Sequence, residues 1–210
     1  MKSFDIAQIS PADAYQLLIG AIVPRPIAWI STQNAQGLLN LAPFSFFMGV
    51  SSHPLCLAVS FARKQNSGHA VKKDTLRNIE EIGQFVVNTV SRSMLMPMHE
   101  SSAEFDYGVN EFEEVGVHAI ASVKVKPPRV KESLVQFECE TYKTVEVGDG
   151  GLGSTVLVIG KILMVHVAES AFEAPRKIKF EALDPASRLG GASYGFVTET
   201  LDIPRPQLKR

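Results

Sequence analysis

The sequence predicts a mainly β protein with helical insertions, folded as a closed, Greek-key-like antiparallel barrel. Three observations carry this expectation. Six or seven runs rich in Val, Ile and Phe have the length and composition of strands. Several are joined by tight turns, which suit antiparallel neighbours. Helical patterns fall between some strands without alternating with them, as a parallel α/β sheet would require.

Taken in order, "ISPADAYQLL" (9–18) predicts a short helix, with Ser10 as N-cap and Pro11 at the first helical position. Residues 19–31 read as a strand broken at Pro24-Arg25-Pro26, since proline donates nothing to a ladder. "TQNAQG" turns the chain, and 38–47 returns as a second strand. "PLCLAVSF" (54–61) is a buried strand and "RKQNSGHAVKK" a polar loop. "DTLRNIEEIG" (74–83) has Leu76, Ile79 and Ile82 at helical spacing, capped by Asp74 or Thr75 and stopped by Gly83. "QFVVNTV" (84–90) is a strand, 91–115 mainly helical, and 117–130 holds a strand ending at Pro127-Pro128. "LVQFECETYKTVEV" and "STVLVIGKILMVHV" are long strands joined by "GDGGLG". A short helix near 175–183 leads into a C-terminal arm, about 184–210. The whole chain, 1–210, reads as one domain with that arm appended.

Hydrophobic residues make up 45% and charged residues 20% of 210, enough for a sizeable core. The net charge of −1 gives no signal for nucleic acid. No apolar run reaches the roughly 18 residues of a membrane span, and "MKSFDIAQIS" lacks the apolar stretch of a signal peptide. Cys56 and Cys139 lie far apart in strand-like runs and read as buried thiols of a cytoplasmic protein. Charge is unevenly placed. Ala14 through Lys73 contains no acid but includes Arg25, Arg63, Lys64, Lys72 and Lys73, a composition a small anion would select. Glu100 to Glu114 holds six acids and no base, and reads as a solvated face.

Several motifs dissolve on inspection. "GDGGLG" satisfies G-x-G-x-x-G, but a β-branched run follows where a dinucleotide fingerprint needs a helix, so it is a hairpin loop. Met94, Met96, Met98 and His99 do not align on one helical face and Pro97 interrupts them, so packing outweighs copper binding. The five histidines form no ligand spacing, and no nucleophile elbow or paired carboxylates stand out. "KKDTLRNI" is less easily set aside. A helix start preceded by two lysines is a natural seat for phosphate, with Thr75 and Asn78 as further donors, provided Asp74 points elsewhere. From these residues alone an ordinary capped surface helix remains equally open.

"VPRPIAWIST" (23–32), "GLLNLAPFSFF" (37–47), "SSHPLCLAVSF" (51–61), "KKDTLRNIEEIGQFVVN" (72–88) and "RLGGASYG" (188–195) together resemble the flavin reductase-like family, in its order and over most of the chain. The likeness is nearest its flavoredoxin-like branch. It implies an FMN-binding split β-barrel, a homodimer with FMN at the subunit interface, and NADH or NADPH as a transient electron donor. Asn40, Ala42, Pro43 and Ser45 would then run beside the isoalloxazine ring, with Trp29 as apolar wall. Lys73, Thr75 and Asn78, followed by Ser60 and Arg63, become candidates for the phosphate and ribityl chain. Arg25, Arg188 and Tyr194 are further candidates. His53, before Pro54, departs from the family pattern and reads as a turn residue. Two functions fit such a pocket: an NAD(P)H-dependent flavin reductase, or a non-catalytic FMN electron carrier reduced by a protein partner. A third reading is a barrel that has lost its flavin.

Overall fold

The computed structural model describes residues 1–207; the end of the expected C-terminal arm, 208–210, lies outside them. The first helix, α1, spans Pro11–Ala21, and Ser10 caps it as expected, its Oγ accepting the Asp13 N–H at 3.1 Å. It runs longer than the sequence suggested. Residues 19–21, expected as strand, continue the helix because Leu17, Leu18 and Ile19 are helix-compatible and no proline intervenes before Pro24. Arg25–Pro26 forms only a two-residue strand.

The main sheet has seven antiparallel strands: β1 (Ala28–Gln33), β2 (Leu39–Phe44), β3 (Phe47–Ser52), β4 (Leu55–Ala62), β5 (Gln84–Asn88), β6 (Val135–Val147) and β7 (Thr155–Val167). Their order across the sheet is β2-β1-β5-β6-β7-β4-β3. The two ends of this order, β2 and β3, are consecutive in the chain and separated only by Ser45 and Phe46, so the barrel is split at that seam. Pro43 lies on this seam, at a sheet edge where its missing donor costs no ladder bond. The sequence reading carried one strand through Ser45 and Phe46 to residue 47 and assigned no strand over 48–52.

Two cores lie on opposite faces of β1. Ala28 and Ile30 point into the barrel with Leu57, Val59, Phe61 and Phe85. Ile27 and Trp29 point outward, where Met98, Phe112, Val117 and Val130 cover them. Alternate residues of one strand thus feed two clusters, and β1 shows no polar face. The second cluster is supplied by the segment 91–130, which is less helical than expected. It contains a 3₁₀ turn at Arg92–Met94, α3 (Leu95–Glu100), one turn at Glu111–Glu114, and short strands at Ala119–Ile120 and Arg129–Val130. Met98 packs in this core, as its spacing implied.

The helix α2, equally anticipated, spans Asp74–Ile82, with Gly83 as a left-handed C-cap (φ 69°) donating to the Ile79 carbonyl at 2.8 Å. Its N-cap is Lys73, with no side-chain cap bond, not Asp74 or Thr75. Leu76 and Ile79 face the barrel core. The loop expected at 62–73 is a small hairpin, Lys64–Asn66 with His69–Val71. "GDGGLG" joins β6 to β7 with Gly148, Gly150 and Gly153 all at positive φ, a hairpin loop as predicted. Cys56 and Cys139 are buried free thiols. No helix among the described residues is long and apolar enough to cross a membrane. The C-terminal arm returns as Ala186–Arg188 and Tyr194–Phe196, paired to each other and to Arg25–Pro26.

Candidate functional site

A cleft opens where the seam of the sheet meets the start of α2. Its floor is Asn40, Ala42, Pro43 and Phe44 on β2; Lys73, Asp74 and Thr75 form one bank, and Ser101 to Phe105 the other. It has a volume of about 130 Å³ and continues past Pro43, Phe44 and Ser102 into a second recess of about 190 Å³. That recess is lined by Ser45, Met98, Arg188 and Tyr194. Eight of the predicted residues therefore share one trough: Asn40, Ala42, Pro43, Ser45, Lys73, Thr75, Arg188 and Tyr194.

The local fold explains why the polar groups converge. Thr75 and Asn78 sit on the buried side of α2, beside Leu76 and Ile79, where a purely structural helix would carry apolar residues. Asn78 Nδ2 donates to Thr32 Oγ1 at 3.0 Å, which locks the helix to β1, and its Oδ1 is buried without a partner. Thr75 Oγ1 stands 3.5 Å from Asn40 Oδ1, and Asn40 Nδ2 is also buried and unpartnered. A buried amide donor without a partner costs about 1–3 kcal/mol, so a ligand acceptor in the cleft would relieve a real deficit.

Charge is held there under tension. Burial lowers the Lys73 ammonium pKa; Glu104 opposes that shift and neighbouring Lys64 adds to it. Its Nζ lies 5.5 Å from the Phe44 ring centroid. Asp74 does not confront an anion at the helix start, because Lys64 (3.8 Å) and Arg77 (3.4 Å) both engage it. Beneath the floor Glu111 accepts the Leu41 N–H at 2.9 Å. Burial raises its pKa; the Leu41 bond and Lys64 oppose this and Asp74 adds to it.

Glu111 and Glu104 correct the reading of the acidic block as a solvated face: both line the cleft. Phe112, directly beside Glu111 and packed in the outer core, is the local signal that this turn is not a solvated face.

Two other expectations need correction. Arg25 is buried, and its guanidinium donates to the carbonyls of Ile19 (2.7 Å), Ile22 (2.6 Å) and Leu189 (2.9 Å), leaving only a long 3.5 Å approach to Ser45 Oγ. It ties the end of α1 to the C-terminal arm, with three of its five N–H groups committed to backbone carbonyls, and it lines neither part of the trough. Trp29 is fully buried in the outer core and cannot wall the cleft; its Nε1 donates to Ser101 Oγ at 2.9 Å, so it positions a residue of the bank.

Ser60 stands on β4 opposite Leu157, outside the trough. Arg63 lines an adjoining groove, and Asn78 a narrow recess behind Asn40. His53 is an exposed residue of the β3–β4 turn. In the arm, Tyr194 Oη meets His99 Nδ1 at 3.0 Å, and the Arg188 guanidinium lies 4.6 Å over the Tyr194 ring.

The fold is thus a split antiparallel barrel with a donor-lined trough at its open seam. The chain belongs to the flavin reductase-like domain family, whose model matches residues 20–184. Among solved structures it is similar to nitrilotriacetate monooxygenase component B from Bacillus cereus: 33% identity, 97% of this chain and 98% of that one, TM-score 0.90. Pseudomonas fluorescens 2-nitrobenzoate 2-nitroreductase NbaA shows 27% identity, coverage of 98% and 96%, and TM-score 0.86. An uncharacterized protein of Aquifex aeolicus is 38% identical over 86% of this chain and 88% of its own length. The flavoredoxin of Desulfovibrio vulgaris (Miyazaki F), at 20% identity and TM-score 0.73, covering 87% of this chain and 91% of that one, shares the fold.

Proposed function

We propose that this chain, 1–210 as one domain, binds FMN in the trough and acts as an oxidoreductase that takes hydride from NADH or NADPH. Asn40 Nδ2 carries the reading: it is an unpartnered buried donor on a proline-interrupted strand edge, beside a half-buried lysine and a threonine at a helix start. Lys73 and Thr75 would hold the phosphate, which bears about −1.5 to −2 charges at neutral pH. Asn40 and Ser45 would address the polar rim of the ring, and Pro43 and Ala42 its apolar face. FMN, when bound, supplies two-electron redox chemistry; the protein supplies position and a water-poor environment. Arg188 and Tyr194 border the recess next to Pro43, where a second reactant would approach the ring. The two buried thiols suit a reducing cytoplasm. A second copy of the chain would cover the exposed apolar residues Met48, Val50 and Leu55 and place FMN at the interface.

The test is an absorption spectrum of the purified protein with added FMN, followed by anaerobic mixing with NADH or NADPH. Yellow protein bleached by either nucleotide supports the reductase. A yellow protein left unbleached at millimolar nucleotide supports the electron carrier instead, and no flavin uptake overturns both.

A further inference from the structure

The β6–β7 hairpin carries, at the end away from its glycine loop, a groove that shares no residue with the trough. Its wall includes Arg129, Lys131, Gln136, Val165, His166 and Phe172, and it has a volume of about 540 Å³. That falls within the roughly 300–1,000 Å³ of small-molecule sites. Gln136 and His166 stand directly opposite each other across the β6–β7 ladder, so their side chains share one face. Glu138, two positions along β6, turns its carboxylate to the same face. Its Oε1 meets His166 Nε2 at 2.6 Å, and the Arg129 guanidinium approaches that same oxygen at 3.9 Å. Backbone N–H groups of Val123, Lys124 and Val125 also bond this carboxylate and keep it ionised. An ionised carboxylate only accepts, so Nε2 carries the proton of the neutral ring and Nδ1 is left as an acceptor. The His166 side chain is 21% exposed, and Nδ1 has no partner among the described residues.

Two cations flank that acceptor. Arg129 is fixed by the Ala121 carbonyl, which accepts from Nε and Nη2, and by Gln136 Oε1, which accepts from Nη1 at 3.2 Å. Three of its five N–H groups are thereby used and two remain. Lys131 is exposed, and its ammonium forms no ion pair among the described residues. Beside them Val165 and Phe172 leave apolar surface open, at 40% and 39% exposure. Neutralising Glu138 accounts for the Nε2 end of the imidazole. It does not account for the free Nδ1, the unpaired lysine or the apolar wall.

We propose that this groove binds a small 2-hydroxycarboxylate with an apolar side chain. The carboxylate lies between Arg129 and Lys131, the hydroxyl donates to His166 Nδ1, and the side chain runs along Val165 and Phe172. Arg129 and His166 converge on one oxygen of Glu138, so the two ligand groups they address must be neighbours. A plain carboxylate would leave the Nδ1 lone pair facing an anion, and an amino acid would set its ammonium beside two cations.

The probe is 2-hydroxy-4-methylpentanoate, titrated by calorimetry into the full chain saturated with FMN, so that a filled trough cannot take it. The groove does not depend on the flavin reading: should the chain take up no flavin, the same titration of flavin-free protein decides it. The hydroxy acid should bind. Three analogues should each bind about tenfold more weakly: 4-methylpentanoate without the hydroxyl, 2-hydroxy-4-methylpentanamide without the charge, and glycolate without the apolar body. Lys131→Met, at an exposed position, should weaken the hydroxy acid by about tenfold. His166→Gln keeps an N–H for Glu138 but removes the ring acceptor; shown folded by circular dichroism, it should bind the hydroxy acid and 4-methylpentanoate equally. If that variant does not fold, nitrogen-15 histidine spectra of the unsubstituted chain replace it, and the His166 Nδ1 resonance should move with the hydroxy acid and not with 4-methylpentanoate. Equal binding of those two acids by the unsubstituted chain overturns the hydroxycarboxylate class. No binding at millimolar probe, or unchanged affinity in Lys131→Met, overturns the site.

Discussion

Lys73 shows how burial converts a charge into a sensor of its ligand. Its ammonium pKa is lowered, first by desolvation, so bringing a phosphate dianion beside it would raise that pKa again. Binding then takes up a proton wherever pH exceeds the lowered free-state pKa, and affinity falls as pH rises through it. On the acid side, protonation of the phosphate near pH 6 weakens binding for a separate reason. FMN affinity should therefore trace a bell against pH. Lys73→Met should lose the alkaline limb and bind FMN roughly 10- to 100-fold more weakly near neutrality. Riboflavin, lacking the phosphate, should show neither limb; fluorescence titrations of both ligands from pH 5 to 10 check this.

Glu138 is a residue of the opposite kind, important to the fold and remote from the cleft. Fully buried on β6, it accepts N–H groups of Val123 (2.8 Å) and Val125 (3.2 Å), another from Lys124, and meets His166 Nε2 at 2.6 Å. Burial pushes its pKa up, but these bonds outweigh burial and hold it below the usual carboxylate value. A lowered folded-state pKa gives stability that is present above the ordinary value near 4.5 and lost as pH falls through the folded value. Glu138→Gln should cost about 1–3 kcal/mol at pH 7, because an amide cannot accept from every donor. It should also flatten the acid limb of stability. Urea melts at pH 7 and pH 4 measure both effects.

At the scale of elements, local patterns were legible and long-range partners were not. The register of apolar residues announced α2, β4, β5, β6 and β7 within a few residues, and the glycine loop was correctly denied a helix. Arg25 was misread because its carbonyl partners include one 164 residues away, on an arm whose return no local signal announces. Glu111 was misread for a similar reason: the strand that donates to it, at Leu41, lies 70 residues earlier. The β6–β7 pair contains one constraint the sequence hides completely. A Cβ on Gly160 would lie 2.4 Å from Phe85 Cζ and 3.3 Å from Cys139 Cβ. Phe85 is fully buried in the barrel core, so its ring has nowhere to withdraw. Gly160→Ala should destabilise by about 1–3 kcal/mol. Phe85→Leu in the same chain should recover part of that loss, as expected for residues in contact; denaturant midpoints of the single and double variants supply the comparison.

For the molecule as a whole, the open seam that admits the cleft also leaves an apolar sheet edge exposed. Strand β3 is a sheet edge, with Met48 61% and Val50 45% exposed, and Leu55 begins the strand paired to it at 47%. An apolar edge without a charged guard is a pairing or aggregation hazard unless another element covers it. A second copy of this chain is the cover proposed above, and the cleft lies at the same seam, between β2 and the corner leading into β3. Coverage and flavin binding should then be coupled. Light scattering behind gel filtration should give a dimer, and Val50→Lys, which places a charge in the middle of the bare edge, should shift it toward monomer. If the partner helps enclose the flavin, that variant should bind FMN at least fivefold more weakly and regain affinity as protein concentration is raised, because mass action rebuilds the enclosing dimer. A monomeric Val50→Lys protein with unchanged FMN affinity would show that one chain holds the flavin alone, and a wild type that stays monomeric would leave the bare edge to a different partner.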